Sequence, residues 1–207
     1  MSAFDFFFSF YGLILGLSVV SLAMGAARAF KHRRTVVVGW KTPLLATFAA
    51  LDIATFWDAA WTNFQHLPFS YGLLVAGLLV AGVYFIAANL VFPEPEDEAR
   101  SLDDHFWANR RAVLLLLVLA NVLMMAAVAW ANMARDGAGA LMMAYGLNMV
   151  LYLVLVLPAA LSRRAWVIGL TLGLHVALYL VIAVGSAIQA SKAPPTTPAA
   201  VVTEASQ

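Results

Sequence analysis

Residues 51–61, LDIATFWDAAW, place two aspartates in an otherwise apolar run that extends from residue 41 to residue 64. A helix of about 20 mostly apolar residues is long enough to cross a lipid bilayer. A carboxylate at the bilayer centre costs about 2.5–3.5 kcal/mol on insertion scales, so its presence calls for an inward-facing position, a partner or a function. The stretch therefore predicts a membrane helix that carries a polar site.

The composition of the whole chain supports a membrane protein. Of its 207 residues, 63% are hydrophobic and 11% are charged, and the mean hydropathy is +0.87. Soluble domains contain about half apolar and about a quarter charged residues. The formal net charge of +1 gives no basis for nucleic-acid binding, and a chain without cysteine offers neither disulfides nor thiolate metal ligands.

Five further apolar runs accompany the run at 41–64, and together they predict an all-α membrane protein with six transmembrane helices in residues 1–188. Lipid cannot hydrogen-bond an open backbone, and the chain lacks the alternating pattern of a membrane barrel. ARDGAG at 134–139 predicts a tight turn, and Ser101 predicts the cap of a helix that continues into span four. The Pro- and Thr-rich tail at 189–207 predicts a disordered extracytoplasmic segment. We place the spans at about residues 6–29, 41–64, 68–92, 111–134, 139–161 and 166–188.

The uneven distribution of lysine and arginine predicts the orientation. Ten of the twelve lie in or beside the odd-numbered loops, and the other two are Arg135 and Lys192. The positive-inside rule then places the odd loops in the cytoplasm and both termini outside. The first apolar run lacks a preceding basic region and is too long for a secretory h-region, so we interpret it as a retained span.

The tripeptide Tyr-Gly-Leu recurs at 11–13, 71–73 and 145–147, each time at the predicted outer end of an odd span. Two explanations stay open: three helical hairpins in parallel orientation, or a repeated preference for an interfacial tyrosine beside a small residue. GxxxG pairs in spans one and six predict that these spans pack together or join a homo-oligomer or larger membrane complex. The pairs are Gly12 with Gly16 and Gly169 with Gly173.

Span two carries the first candidate site residues. Asp52 lies near mid-membrane, and Asp58 lies about 9 Å farther out and about 120° around the helix, so the two carboxylates cannot form a dyad. We expect the polar side of the helix to face other helices or water, and the side that contains Ile53 to face lipid. Thr55, Thr62 and Asn63 extend the polar side, whereas Ala46, Trp57 and Trp61 extend the apolar side.

Span six offers counterparts at a similar depth. Thr171, His175 and Tyr179 are spaced i, i+4, i+8 and share one face. Since His175 falls at about the depth of Asp52, we predict a mid-membrane polar layer in which these two side chains pair across the bundle. The other members of the layer are Asn121 in span four, Tyr152 in span five and Ser18 in span one.

Two functions are compatible with this layer. An Asp–His pair suits a proton or cation station in a small ion or small-solute transporter, with Asp58, Asn63 and His66 as its outer approach. The alternative is a structural or assembly subunit in which Asp52 is protonated and hydrogen-bonds a neighbouring helix, since interhelical hydrogen bonds are routine in bundles. A water-connected cavity that reaches Asp52 would favour transport, whereas a sealed bundle would favour the structural role.

The sequence carries no enzyme motif, so we expect a non-enzymatic protein without a cofactor. HExxH, GxSxG and P-loop patterns are absent, and only one of the four histidines lies deep in a span, which disfavours a haem with two histidine ligands.

Two further features allow more than one interpretation. The acidic loop before span four is predicted to be a solvated connector. It could also bind a partner, or a divalent ion through Asp103, Asp104 and His105, but the pattern is not specific for either. A methionine cluster suits Cu(I) but also suits gap filling between helices. Its members are Met124, Met125, Met133, Met142, Met143 and Met149.

Three segments resemble a group of small, uncharacterised bacterial integral membrane proteins. They are FYGLILGLSVVSLAMGAARAFKHRRTVVVGW at 10–40, LDIATFWDAAW at 51–61 and the acidic loop that ends in HFWANRR at 105–111. The resemblance is one of layout, and it implies an integral protein of the bacterial cytoplasmic (inner) membrane. It implies no activity, ligand or cofactor.

Overall fold

The computed structural model describes residues 3–34, 37–65, 70–94 and 101–192. Within these ranges the chain is helical and contains no strand, apart from an isolated bridge between Val37 and Ser101. The predicted all-α class is therefore confirmed. The helices are α1 (Ala3–Lys31), α2 (Lys41–Phe64), α3 (Tyr71–Asn89), α4 (Leu102–Leu141), α5 (Leu147–Leu161) and α6 (Ala165–Lys192), and a π-helix, Met142–Gly146, joins α4 to α5.

Helix ends follow local capping chemistry. The Ser101 hydroxyl accepts the Asp104 backbone N–H at 3.1 Å and donates to the Asp104 carboxylate at 2.7 Å, so the cap predicted at this position is confirmed. The Ser70 hydroxyl caps α3 by accepting from the backbone N–H of Leu73 at 3.2 Å. Helix α6 continues to Lys192, and the rest of the predicted tail lies outside the described residues.

Five helices of the described chain are long and apolar enough to cross a membrane, namely α1, α2, α3, α4 and α6. Helix α5 is apolar but has only 15 residues, and the five residues of the π-helix precede it. The chain is therefore a multi-pass, membrane-protein-like helical bundle.

The connection between α4 and α5 differs from the tight turn predicted at 134–139, because the backbone is helical there. The chain still reverses direction, since the Asn121 amide nitrogen lies 3.1 Å from the Tyr152 hydroxyl. A straight helix would separate these residues by about 46 Å at 1.5 Å per residue. The reversal is made by helical backbone that includes a π segment, which interrupts the regular hydrogen-bond ladder. The side chain of Arg135 lies outside the described part.

The six helices form a ring in the order α1, α3, α4, α5, α6, α2, and α2 and α4 also contact each other across its middle. The bundle thus has two halves that share α2 and α4. The first half adds α1 and α3, and the second half adds α5 and α6. Helices α1 and α6 make no contact in the described residues, so the expected packing of first span on last span is wrong.

Successive helices run in opposite directions. Tyr11 and Ser21 of α1 bond Leu73 and Asn89 of α3 in the same order, so these two helices are parallel. We call the end where α2, α4 and α6 begin the basic end, and the opposite end, which contains Ala3 and Lys192, the terminal end. The described Lys and Arg side chains at the basic end are Arg28, Lys31, Arg33, Arg34, Lys41, Arg110, Arg111, Arg163 and Arg164.

Helix α2 is surrounded by α1, α3, α4 and α6. For this reason Ile53, which was expected to face lipid, is 1% exposed. Thr55, Asp58 and Thr62, on the side predicted to be polar, are exposed, although Thr55 also lines a cavity of the bundle. The prediction for Ile53 is wrong because a helix with neighbours on several sides has only a narrow lipid-facing surface.

Candidate functional site

Asp52 lies at the centre of the bundle and is 1% exposed. It projects from α2, the helix that both halves share, and Phe48, Ala49 and Phe56 beside it are also buried. A buried carboxyl group without hydrogen bonds would be strongly destabilising, so its partners decide whether the bundle tolerates it.

Four side chains donate hydrogen bonds to this carboxyl group, each from a different helix. Oδ2 accepts from the Asn121 amide at 2.9 Å, the Tyr84 hydroxyl at 3.2 Å and the Tyr152 hydroxyl at 3.4 Å. Oδ1 accepts from the Tyr179 hydroxyl at 2.7 Å. Helices α3, α4, α5 and α6 therefore meet at one group on α2. We call these five residues the Asp52 cluster.

The charge of an ionised Asp52 would be stabilised by the dipoles of its four hydrogen-bond donors and not by a nearby cation of the described chain. Among the described residues the one ion pair is Lys41 with Asp103, at the basic end, so no described cation lies within 4.0 Å of Asp52. An ionised carboxylate only accepts hydrogen bonds, which fits four surrounding donors. If Asp52 is protonated, its O–H can donate to the oxygen of one tyrosine once the O–H of that tyrosine has rotated away. The site can thus exchange a proton without moving the backbone.

Asn121 gives the cluster alternative hydrogen-bond arrangements. Its amide nitrogen lies within 3.2 Å of four acceptors, namely Asp52 Oδ2, the hydroxyls of Tyr84 and Tyr152, and the Leu117 carbonyl. An amide group has two protons, so it satisfies only two of these acceptors well at a time. Small rotations redistribute the bonds among them.

His175 is next to the cluster but does not pair with Asp52, so the predicted Asp–His pair is wrong. Its ring centroid lies 4.7 Å from that of Tyr179 and 5.1 Å from those of Tyr152 and Phe48. Tyr179, one helical turn farther along α6, occupies the level of Asp52 instead. His175 is 3% exposed, and its Nδ1 has no hydrogen-bond partner in the part of the chain that the structure describes.

Other residues predicted for the layer or for its outer approach do not bond the carboxyl group. The hydroxyls of Thr171 and Ser18 donate to carbonyls one turn back in their own helices, those of Val167 at 2.9 Å and Ile14 at 3.0 Å. Asp58 is exposed. His66 lies outside the described residues.

Tyr84 was missed at the sequence level, although one signal was present. It lies eight residues before the end of predicted span three, about 12 Å at 1.5 Å per residue, which is deeper than the interface where tyrosine acts as an anchor. A buried tyrosine hydroxyl usually finds a partner. That reasoning would have supplied the polar residue of span three that the predicted layer lacked.

A cavity of about 290 Å³, which we call the polar cavity, lies in the second half of the bundle. Asn121, Tyr152, His175 and Tyr179 line its deep end, whereas Asp52 is not among its lining residues. Toward the terminal end it is lined by Thr55, Asn63, Tyr145 and Asn148, and the Tyr145 hydroxyl donates to Asn63 at 2.8 Å. A molecule in this cavity would meet the donors of Asp52 before the carboxyl group itself.

Metal ligands are sparse. Within the described ranges no three His, Asp or Glu side chains are grouped so that they could hold a metal ion. At the basic end, Asp103 pairs with Lys41 and Asp104 bonds Ser101. Met124, Met125 and Met149 line the polar cavity, whereas Met143 is exposed. The side chains of Met133 and Met142 lie outside the described part.

The fold and this site define a multi-pass helical protein of the membrane-spanning type, with one buried carboxyl group held by four neighbouring helices. In comparisons with known proteins, the chain matches no family model, no curated protein and no solved structure.

Proposed function

We propose that this protein is a six-span protein of the bacterial cytoplasmic membrane that moves protons, or a small solute coupled to protons, through Asp52. One observation carries the proposal: a fully buried carboxyl group is hydrogen-bonded from four helices beside a cavity of about 290 Å³. Ionisable residues inside membrane bundles commonly mark ion pathways and proton relays. The role is non-enzymatic, and membership in the bacterial group named above is part of the proposal.

Helix lengths and charge support this topology. The five residues of the π-helix and the 15 residues of α5 together reach about 30 Å at about 1.5 Å per residue, which is the thickness of the hydrocarbon core. The positive-inside rule then places the basic end in the cytoplasm and both termini outside.

The packing suggests the direction of access. Between Asp52 and the basic end the core is filled by fully buried side chains, including Leu45, Phe48 and Leu172. Among the described residues, the polar cavity extends from the cluster toward the terminal end, where Asn63 and Tyr145 line it. A proton would enter this cavity, pass through the hydroxyl of Tyr152 or Tyr179 and reach the carboxyl group. Its release toward the basic end then requires the helices to rearrange, as in alternating access.

A second candidate is a structural or assembly subunit. It is favoured by the complete hydrogen bonding of Asp52 and by its absence from the cavity lining. Gly16 and Gly173 offer open surfaces for assembly with another protein, because a Cβ atom added at either position would meet no described atom within 4 Å. Their GxxxG companions are covered internally, since Gly12 lies against the ring of Trp57 and Gly169 against that of Trp40. In this role the cluster would fix the arrangement of five helices.

Proton flux into proteoliposomes distinguishes a transporter from a structural or assembly subunit. The full chain is reconstituted with the pH dye pyranine inside, and a potassium gradient with valinomycin drives proton entry. Asp52→Asn keeps the side-chain shape but removes the titratable group. Asp58→Asn, an exposed carboxylate on the same helix, is the matched control. We expect flux in the wild type and in Asp58→Asn, and none above empty vesicles in Asp52→Asn.

His175→Ala is measured in the same assay. We expect a partial loss of flux, because the ring lies beside both tyrosines that contact the carboxyl group. If both Asp52→Asn and His175→Ala keep wild-type flux, transport through this site is excluded. Native mass measurement of the purified protein with bound partners would then test the assembly role.

A further inference from the structure

A second polar site lies at the basic end, where α4 passes the connection between α5 and α6. It is a cleft of about 490 Å³ lined by Trp107, Ala108, Arg110, Arg111 and Arg163. Three of the five lining side chains are guanidinium groups, and none is acidic. We call it the arginine cleft.

Arg110 forms the buried wall of this cleft. The residue is 3% exposed, and its guanidinium carbon lies 4.4 Å from the centroid of the Trp107 ring. One terminal nitrogen donates to the carbonyl of Ser162, but Nε has no hydrogen-bond partner in the described chain. A buried donor of a charged group that lacks a partner is destabilising by itself.

The charge of the cleft is not neutralised from within the described residues. Their one ion pair joins Lys41 to Asp103, so no described carboxylate lies within 4.0 Å of the three guanidinium groups. Like charges held around one cleft repel each other, and burial of one of them reduces the screening by water. An anion in the cleft would reverse this repulsion and could also satisfy the unpartnered Nε of Arg110.

The donor geometry favours a particular anion. Guanidinium groups present planar, forked donors that match the oxygens of phosphate, and they stack on aromatic rings as Arg110 does on Trp107. Tryptophan rings prefer the headgroup level of a bilayer, and basic pockets between membrane helices bind lipid headgroups.

We propose that the arginine cleft binds a phosphate group, carried either by an anionic phospholipid headgroup or by free phosphate in solution. This site is independent of the Asp52 cluster, and it holds whether the protein transports protons or serves as a subunit. Its occupant completes the hydrogen bonding of a buried arginine at the point where α4 passes the connection between α5 and α6.

Native mass spectrometry of the full chain tests the lipid source. Wild type and variants are released from nanodiscs of phosphatidylcholine that contain phosphatidylglycerol, and the phosphatidylglycerol retained by each is measured. Arg111→Gln with Arg163→Gln removes two exposed lining charges and leaves Arg110 in place. Arg28→Gln with Arg164→Gln removes two exposed charges at the same end that do not line the cleft.

We expect the cleft double variant to bind phosphatidylglycerol about tenfold more weakly, the scale of losing charge-assisted hydrogen bonds. The control double variant should stay within about twofold of wild type, because unspecific surface charge is largely screened by salt. Equal retention by the two double variants would overturn a lipid occupant.

Inorganic phosphate tests the second source. Thermal unfolding is measured in nanodiscs of phosphatidylcholine alone, with phosphate or with chloride at the same ionic strength. Stabilisation by phosphate in the wild type and the control, but not in the cleft double variant, would support a free phosphate. If neither phosphatidylglycerol nor phosphate separates the cleft double variant from the control, the proposal is wrong. Both double variants change only exposed residues, so they keep the fold in which the comparison is made.

Discussion

The two halves of the bundle share α2 and α4 but enclose different cavities. The first half has a cavity of about 130 Å³ that is lined mainly by apolar and aromatic side chains, among them Leu15, Phe56 and Val80. The polar cavity of the second half, at about 290 Å³, has asparagine, tyrosine and histidine in its wall. The two central helices therefore separate a packed, apolar compartment from one that could hold water or a polar solute.

Tyrosine hydroxyls bond different kinds of acceptor in the two halves. In the first half the Tyr11 hydroxyl donates to the Leu73 carbonyl at 3.0 Å, directly over Gly77, so its bond serves the contact between two helices. In the second half, tyrosines of α5 and α6 converge on the carboxyl group of Asp52. The first half is therefore closely packed, whereas the second half has a larger cavity beside the carboxyl group of Asp52. Four experiments, in decreasing order of expected effect, test this difference between the halves.

Asn121→Leu should destabilise the second half most. The amide contacts Asp52 and both hydroxyls that share its Oδ2, and an interhelical hydrogen bond in a membrane bundle is worth about 0.6 kcal/mol on average and up to about 1.7. Loss of several bonds around a buried carboxylate should lower the free energy of unfolding by roughly 3 kcal/mol. SDS titration in mixed micelles measures it. The control is Asn89→Leu, which removes one exposed interhelical bond, from Ser21, and should therefore cost only about 0.6 kcal/mol. Equal losses in the two variants would contradict a central role for the cluster.

Gly77→Ala tests the first half in the same way. A methyl group at this position would overlap the Tyr11 hydroxyl, so the ring must move and its bond to Leu73 breaks. Overpacking of this kind costs about 1–3 kcal/mol. Gly82→Ala on the same helix meets no described atom within 4 Å and should be neutral or stabilising by up to about 1 kcal/mol. Unfolding of both variants in detergent measures the difference, and equal stability would show that Tyr11 adapts freely.

Ala59→Leu and Ala76→Leu fill the two cavities with the same side chain. Ala59 lines the polar cavity, and Ala76 lines the apolar one. If the second half carries the proton path, Ala59→Leu should reduce flux about tenfold, equivalent to about 1.4 kcal/mol, without touching Asp52. Ala76→Leu should keep flux within about twofold. The pyranine assay compares them, and the reverse order would place the path in the first half.

Tyr179→Phe and Tyr152→Phe compare how much two hydrogen bonds of the Asp52 cluster contribute to stability. Tyr179 is the described donor to Oδ1 at 2.7 Å, whereas Tyr152 is the most distant of the three donors to Oδ2 at 3.4 Å. Removal of the shorter bond should destabilise by about 1 kcal/mol and removal of the longer by less than about 0.5. The same SDS titration applies. Equal effects would mean that the network rearranges to replace either bond.

Much of the bundle follows from local properties of the chain. The predicted limits of span two coincide with α2, Lys41–Phe64. They could be predicted because charged and polar residues mark both ends of the apolar run. Depth could also be predicted, since a helix rises 1.5 Å per residue. Counting from the basic end chose Asn121 and Tyr152 for the layer of Asp52, and the structure brings both to its carboxyl group. The same counting also chose Ser18 and His175, which do not bond Asp52, whereas Tyr179 was predicted only to share a face with His175.

Rotation and neighbours could not be predicted in this way. Ile53 is buried and Asp58 is exposed because α2 has helices on several sides, which the hydrophobic pattern of one helix does not record. His175 and Tyr179 share a face of α6, and only the vertical offset between α6 and α2 decides that the tyrosine reaches the carboxyl group. That offset is a property of two packed helices.

The pattern of residues was sufficient to predict apolar helices and a carboxyl group, in residues 51–61, that would need partners inside the bundle. The packing of the helices was needed to show which partners these are, which half contains the polar cavity, and that Nε of Arg110 has no partner among the described residues at the edge of a basic cleft. The physical reason is that helix formation and burial depend on short-range patterns of hydrophobicity. Hydrogen bonds between helices depend on rotation and height, which are fixed only when all six pack together.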